Sequence, residues 1–396
     1  MLERVVNINS GTMNFPGVRQ VGDVFSAELD ALGFRTAWVD GEAFNRAGHL
    51  VASSGNRGRR LLLIGHLDTV FEPDSKFQHY EVVDERYALG PGITDMKGGD
   101  VVMIHALRAL KEAGVLGEMQ IKIVMTGDEE SRGRPHSIAN KALIDAAAWA
   151  DYAIGFEDGD GDPTTAVVSR RGSSGWQLRV SGKPAHSSQI FQESMGYGAV
   201  FEAARILDQF RIALSDVPNL TFNPALIIGG TDVEHDVDGS RGSAFGKKNV
   251  IAQTVTVSGD IRALSPQQLE MAQLKMQQIV SKNLAHTSAQ LTFDIGYPPM
   301  APSPGNEKIL QLYNQVSEDL GYGAVAAVDP RRAGAADISF AAGFVDMAID
   351  GLGLMGKGGH TVNEVADLHT LPQQTKRAAL LFYRLNSFAA TGVIND

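Results

Sequence analysis

Apolar residues recur at helical spacing over 17–34 (Val21, Val24, Phe25, Leu29, Leu32) and stop at Gly33, which predicts a helix. The run over 59–64 then reads as a short buried strand. The alternation repeats with a helix over 96–113 ended by Gly114, a strand over 121–125, a helix over 141–150 and a strand over 152–156. Strands with continuous apolar runs between helices predict an α/β fold, a mostly parallel sheet with helices on both faces. Beyond Arg170-Arg171-Gly172 the pattern changes to period two: a strand over 176–180, a helix over 194–210, strands over 220–228 and 250–262, a helix over 266–284 and a strand over 290–295. That β-α-β-β-α-β order is the split βαβ plan of a small ferredoxin-like α+β domain. After residue 304 helices and strands alternate again, with a helix over 307–320, a strand over 344–349 and a closing helix over 372–389. The chain therefore divides into a larger domain in two pieces, 1–171 and 297–396, and an inserted domain, 172–296. The stretch 231–248, rich in Asp and Gly, is long for a hairpin and reads as a loop, either functional or mobile.

Composition narrows the chemistry. Thirty-five Lys+Arg against 46 Asp+Glu give a net charge of −11, which argues against nucleic acid as a partner. Cysteine is absent, so disulfides, thiol nucleophiles and thiolate zinc sites are excluded, and any metal must be held by His, Asp and Glu. No uncharged apolar run approaches the ~18 residues that cross a bilayer, and the expectation is a soluble protein without a membrane partner. The opening Met1-Leu2-Glu3-Arg4 has no secretory plan and reads as if the chain starts inside a helix. The compartment stays open: cytoplasmic as given, periplasmic or secreted if an upstream signal was replaced by Met1.

Four of the predicted strands lead to potential ligands: 59–64 to His66 and Asp68, 121–125 to Glu129 and Glu130, 152–156 to Glu157, and 344–349 toward His360. All lie at carboxyl ends, the edge where open α/β sheets bind ligands. Asp95, placed by Gly90-Pro91-Gly92 before a helix, adds a fifth group. On extended chain His66 and Asp68 point to the same face, so the Asp68 carboxylate is expected to take the proton on one ring nitrogen while the other binds metal. Adjacent Glu129 and Glu130 diverge, so one can ligate a metal and the other can face a water. Singly, each of these motifs is weak. Gly351-x-Gly353-x-x-Gly356 matches a dinucleotide fingerprint but opens no helix, and a nucleotide site is rejected there. Together His66, Asp95, Glu130, Glu157 and His360 supply two imidazoles and three carboxylates, enough for two divalent ions if one carboxylate bridges. This donor mix fits Zn²⁺ best, with Co²⁺ or Mn²⁺ as substitutes.

Gly65-His66-Leu67-Asp68-Thr69-Val70, Gly90-Pro91-Gly92-Ile93-Thr94-Asp95-Met96-Lys97-Gly98-Gly99, Thr126-Gly127-Asp128-Glu129-Glu130 and Gly359-His360-Thr361 occur in one order and spacing. In these the chain resembles the di-zinc metallopeptidases that include bacterial glutamate carboxypeptidase, aminoacylase and succinyl-diaminopimelate desuccinylase, the glutamate carboxypeptidase branch above all. The resemblance implies that His66 and Glu157 hold one zinc, Glu130 and His360 the other, that Asp95 bridges, that Glu129 is the general base, and that a cis peptide follows Asp95. It implies that the inserted domain is a lid and a homodimer contact. His186, in Lys183-Pro184-Ala185-His186-Ser187, would then reach the neighbouring subunit's site and stabilise an oxyanion. Asn249 and Arg262 correspond to residues that bind a substrate's free carboxylate.

The expected substrate is thus a small molecule or peptide with a free α-carboxylate beside the cleaved amide. An N-acyl amino acid amidohydrolase or dipeptidase is the alternative within the class, and a non-catalytic binding protein the alternative outside it. Ala252 stands where the family usually has Pro, Ser187 where Gly is common, and 231–248 reads as an insertion. Arg331 and Arg332 lie in the loop that often shapes the side-chain pocket, where they would attract an acidic group or simply be solvated.

Overall fold

The computed structural model describes residues 1–236 and 240–387. Its contacts divide the chain into two compact units, Met1–Arg170 with the described residues from Met300 onward, and Arg171–Pro299.

The first unit is built on a six-stranded sheet in the order Arg35–Asp40, Gly48–Ser54, Gln120–Thr126, Arg60–His66, Tyr152–Gly155, Met347–Ile349. The last four are mutually parallel. The apolar run that betrays the central strand is continuous because both faces are covered. Leu61 and Leu63 enter the core shared with the helices Phe15–Leu32, Lys97–Glu112 and Thr370–Ser387. Leu62 and Ile64 enter a second core with Lys141–Trp149 and Ile338–Ala341. At ~1.5–3 kcal/mol per buried aliphatic side chain, the four contribute on the order of 10 kcal/mol of burial from one short strand. Helix boundaries follow local chemistry: Asn14 caps Phe15–Leu32 by accepting from the Gly17 amide, and Gly33, at φ 94°, ends it in a left-handed conformation.

One edge strand of this sheet and its neighbour are absent from the sequence reading. Arg35–Asp40 and Gly48–Ser54 pair antiparallel with each other, and the second joins Gln120–Thr126. The first has no fully buried position, so it carries little apolar signal. The closing helix is Thr370–Ser387; the expected extension to Ala389 lies outside the described residues.

The second unit is a four-stranded antiparallel sheet, ordered Thr221–Gly230, Thr254–Ala263, Gly172–Gly182, Thr287–Phe293. Trp176, Leu178 and Val180 alternate with more exposed neighbours and pack under the helices Gly198–Leu214 and Pro266–Val280. Period two is legible because one face is covered and the other is not. The stretch expected to be a loop, 231–248, is largely a ribbon instead: Asp232–Asp236 pairs antiparallel with Arg241–Phe245, and 237–239 lie outside the described residues. Its five paired positions are exposed or half-buried and mostly polar, which hides a strand from any reading based on hydrophobicity. Among the described residues, no helix is long and apolar enough to cross a membrane.

Candidate metal centre

Parallel strands deliver their carboxyl ends to one edge of the sheet, and the candidate ligands collect there. His66 is the last residue of its strand, Glu130 follows Thr126 by four residues, Glu157 follows Gly155 by two, and His360 lies beyond Ile349. Asp95 precedes the helix Lys97–Glu112, which approaches the sheet closely through Gly99: a Cβ there would fall 1.8 Å from the Phe156 carbonyl oxygen. The Asp95-Met96 peptide is cis, as the resemblance implies.

The five groups form two sets that share one member. His66 Nε2 lies 3.1 Å from Asp95 Oδ1 and 3.6 Å from Glu157 Oε1. His360 Nε2 lies 2.9 Å from Asp95 Oδ2 and 3.1 Å from Glu130 Oε2. Within each set the ligand atoms are within 4.8 Å of one another. Each set thus offers one imidazole nitrogen, one carboxylate of its own and one oxygen of Asp95. A donor set of this kind fits a pair of divalent ions bridged by a carboxylate. The His66 set is largely enclosed, whereas His360 is 57% exposed and holds a left-handed backbone, φ 62°, among glycines.

The Asp68 side chain faces both His66 and the turn that carries Glu129 and Glu130. His66 Nδ1 lies 3.0 Å from the main-chain carbonyl of Asp68 and 3.6 Å from its carboxylate, which helps hold the ring protonated. The same carboxylate accepts the amide hydrogens of Glu129 at 3.0 Å and Glu130 at 3.1 Å, and the Thr12 hydroxyl at 2.6 Å. Glu129 belongs to neither set and lies near enough to both to feel the charges of His66, Glu130 and Asp95.

Other supports are carboxylates that the sequence reading passes over. Asp350, ion-paired with buried Arg170, accepts the Glu157 amide at 3.2 Å. Glu364 accepts from the amides of Gly92, Thr94 and Asp95. Arg132 joins Asp128 to Asp337, and Thr126 donates its hydroxyl to Asp337. The one available signal was proximity to the ligand motifs, since isolated acidic residues in glycine-rich stretches ordinarily read as solvated. Gly353 of the rejected nucleotide motif has a packing role: its amide reaches the Glu157 carbonyl at 2.9 Å, and a Cβ would strike Phe156.

The electrostatics are those of carboxylates crowded out of water. Burial and repulsion from Asp95 push Glu130 up to about 7 and Glu157 well above the usual range. Burial pushes Glu129 well up too; His66 opposes this, and Asp337, Glu130 and Asp95 reinforce it. Asp95 moves the other way: burial works against it, but hydrogen bonds from His360 and His66 hold it below the ordinary carboxylate value. Bonds to Asp95 and Glu130 raise His360 to about 11. His66 is likewise held well above the usual imidazole range, against its burial, by Glu157, Asp68 and Asp95. Positive charge is strongly favoured at both imidazoles, the positions where metal ions would compete with protons.

Arg332 is engaged by the nearly buried Asp160 carboxylate at 3.0 Å, and the Arg331 amide donates to Asp329. In the second unit, exposed His186 holds Ser188 through Nδ1 at 2.8 Å. It bridges to Val250, which brings it beside Asn249, whose carbonyl accepts the Ser187 amide. Arg262 does not join them. It pairs with Asp260 at 2.9 Å and stands opposite Ser173, near the end of the sheet where the chain enters the unit. At ~3.3 Å per residue, Arg262 is about 26 Å along its strand from Thr254. Asn249 precedes the Thr254 end of that strand and is joined to the His186 segment.

Residues 62–384 match the model of Peptidase family M20/M25/M40. The chain is 27% identical over 394 residues to carboxypeptidase G2 of Pseudomonas sp. (strain RS-16), covering 98% of this chain and 88% of that one. It is 31% identical over 144 residues to a probable succinyl-diaminopimelate desuccinylase of Staphylococcus epidermidis (strain ATCC 35984), covering 35% of this chain and 34% of that one. Among solved structures, aminopeptidase PepT from Bacillus cereus ATCC 10987 superposes with a TM-score of 0.77 at 19% identity, over 97% of this chain and 96% of that one.

Proposed function

The chain belongs to peptidase family M20/M25/M40 and is a metallohydrolase, and on that premise we propose that it cleaves an amide or peptide bond beside a free C-terminal α-carboxylate, as a carboxypeptidase. The observation that carries the reading is Asp95, whose two oxygens are divided between His66 and His360. His66, Glu157 and Asp95 would hold one ion, and Glu130, His360 and the other oxygen of Asp95 the second, zinc in each. Bound there, the ions supply Lewis acidity, lowering the pKa of water and polarising the scissile carbonyl.

Glu129, held in place through its amide by Asp68, takes the proton of the attacking water and returns it to the leaving amine. Burial raises its affinity for a proton. Similarity over 98% of this chain to a protein named carboxypeptidase G2 supports a carboxypeptidase over an N-acyl amino acid amidohydrolase or a dipeptidase. The test is a substrate panel on zinc-loaded protein, with acyl-glutamates, acyl-aromatic amino acids and dipeptides side by side. Acyl-glutamates turned over best would support the reading; preference for acyl-aromatic amino acids or dipeptides would replace it with the amidohydrolase or dipeptidase.

The inserted unit serves, in this reading, as lid and homodimer contact. Because His186 and Asn249 sit together away from Arg262, the two groups serve different active sites of a dimer, with His186 stabilising the oxyanion and Arg262 gripping the carboxylate. Arg331 and Arg332 remain pocket candidates, Arg332 through its pair with Asp160. A His186→Ala chain mixed with a Glu129→Gln chain should recover activity absent from either homodimer. No recovery in verified heterodimers would remove the role in trans.

A further inference from the structure

Glu364 is four residues beyond His360 and completely buried, yet it belongs to neither ligand set. Its carboxylate is spent on main chain of another segment. Oε1 accepts from the Thr94 amide at 2.8 Å, the Asp95 amide at 3.1 Å and the Thr94 hydroxyl at 3.2 Å, while Oε2 accepts from the Gly92 amide at 3.0 Å. In return its carbonyl accepts from the Gly90 amide at 3.3 Å. Just after it, Val365–Asp367 pairs antiparallel with Tyr87–Leu89, which leads into that same segment. One acidic side chain thus ties the loop that presents His360 to the loop that presents Asp95.

We propose that Glu364 is a positioning residue that sets the spacing between the Asp95 carboxylate and the His360 imidazole, and so the affinity of the second ion. The inference rests on the two-ion reading above. It differs for the two sets. The ring of His66 is held by the Asp68 carbonyl and Glu157 by Asp350, neither through Glu364, so the first ion keeps most of its own supports. His360, exposed and on a glycine-rich loop, depends on this tie to meet Asp95 at 2.9 Å.

Substitution gives a graded test. Glu364→Ala leaves the Gly92, Thr94 and Asp95 amides, the first two buried, without their acceptor. Glu364→Gln keeps one acceptor oxygen but turns an NH₂ toward either Gly92 or the Thr94–Asp95 pair, so it should be milder. The measurement is zinc bound per chain by mass spectrometry after equilibration against a series of buffered free-zinc concentrations, with circular dichroism to confirm folding. Wild type should bind two ions; failure of wild type to do so would end the two-ion reading itself. Glu364→Ala should weaken the second ion by roughly 10–100-fold, the usual effect of losing a partner that orients a ligand, with little change in the first. Glu364→Gln should fall between. A purely structural role would lower both affinities together or neither. If a folded Glu364→Ala chain, or Glu364→Gln should the alanine chain not fold, binds both ions as wild type does, or loses both equally, the proposal is overturned.

Discussion

The Asp68 carboxylate accepts the main-chain amide of Glu129 at 3.0 Å, so a residue next to one ligand's strand fixes the turn that carries the proposed base. The same carboxylate takes the Glu130 amide, while the ring of His66 rests on the Asp68 carbonyl. Asp68→Asn keeps that carbonyl but places an NH₂ against one amide donor. The expected result is a kcat lowered by roughly 10–100-fold with the ion of the His66 set retained, checked by kinetics together with zinc analysis. Complete loss of zinc from a folded Asn chain would show that the side chain orients His66.

Glu129 stands outside both ligand sets, so its charge can be removed without removing a ligand. Glu129→Gln should bind two ions with near wild-type affinity and lose roughly 10²–10⁴-fold in kcat. Turnover near wild type would take the role of base away from it.

The raised ionisation of the site gives a pH dependence of definite sign. Glu130, at about 7, holds its proton in the folded chain over a range where an unfolded glutamate has lost it, and His360, at about 11, does so above the unfolded imidazole value. The native state then binds more protons than the unfolded state, and stability falls as pH rises. For His360 the contribution is full below its unfolded pKa and is lost as pH rises through about 11. For Glu130 a penalty grows from the unfolded glutamate value up to about 7. Chelator-treated protein should therefore melt at a lower temperature at pH 9 than at pH 6, and stabilisation by zinc should be larger at pH 9. Equal melting temperatures of chelated protein at the two values would count against the crowded, proton-holding site.

The five ligand candidates were legible because each combines a sheet edge or glycine-rich loop with a residue type that metals prefer. His66, Glu130 and Glu157 follow apolar runs whose ends are easy to see, and His360 is marked by its glycines. What orients them was not legible. Glu364 meets Gly92 across 272 residues, and Asp350 meets Glu157 across 193, pairings that no local pattern encodes. The further task of Asp68, holding the Glu129 and Glu130 amides, spans 61 and 62 residues and has no local pattern either. In the fold, Leu61 to Ile64 announced themselves by burial on two faces, while Arg35–Asp40 and the ribbon Asp232–Asp236 did not, since exposed strands lack the hydrophobic contrast that reveals a period.

The central claim is the division of Asp95 between two ions. Anomalous diffraction at the zinc edge from crystals of the zinc-loaded protein tests it directly. Two peaks per chain are expected, one among His66, Asp95 and Glu157 and the other among Asp95, Glu130 and His360. A single peak, or peaks away from Asp95, would contradict the account.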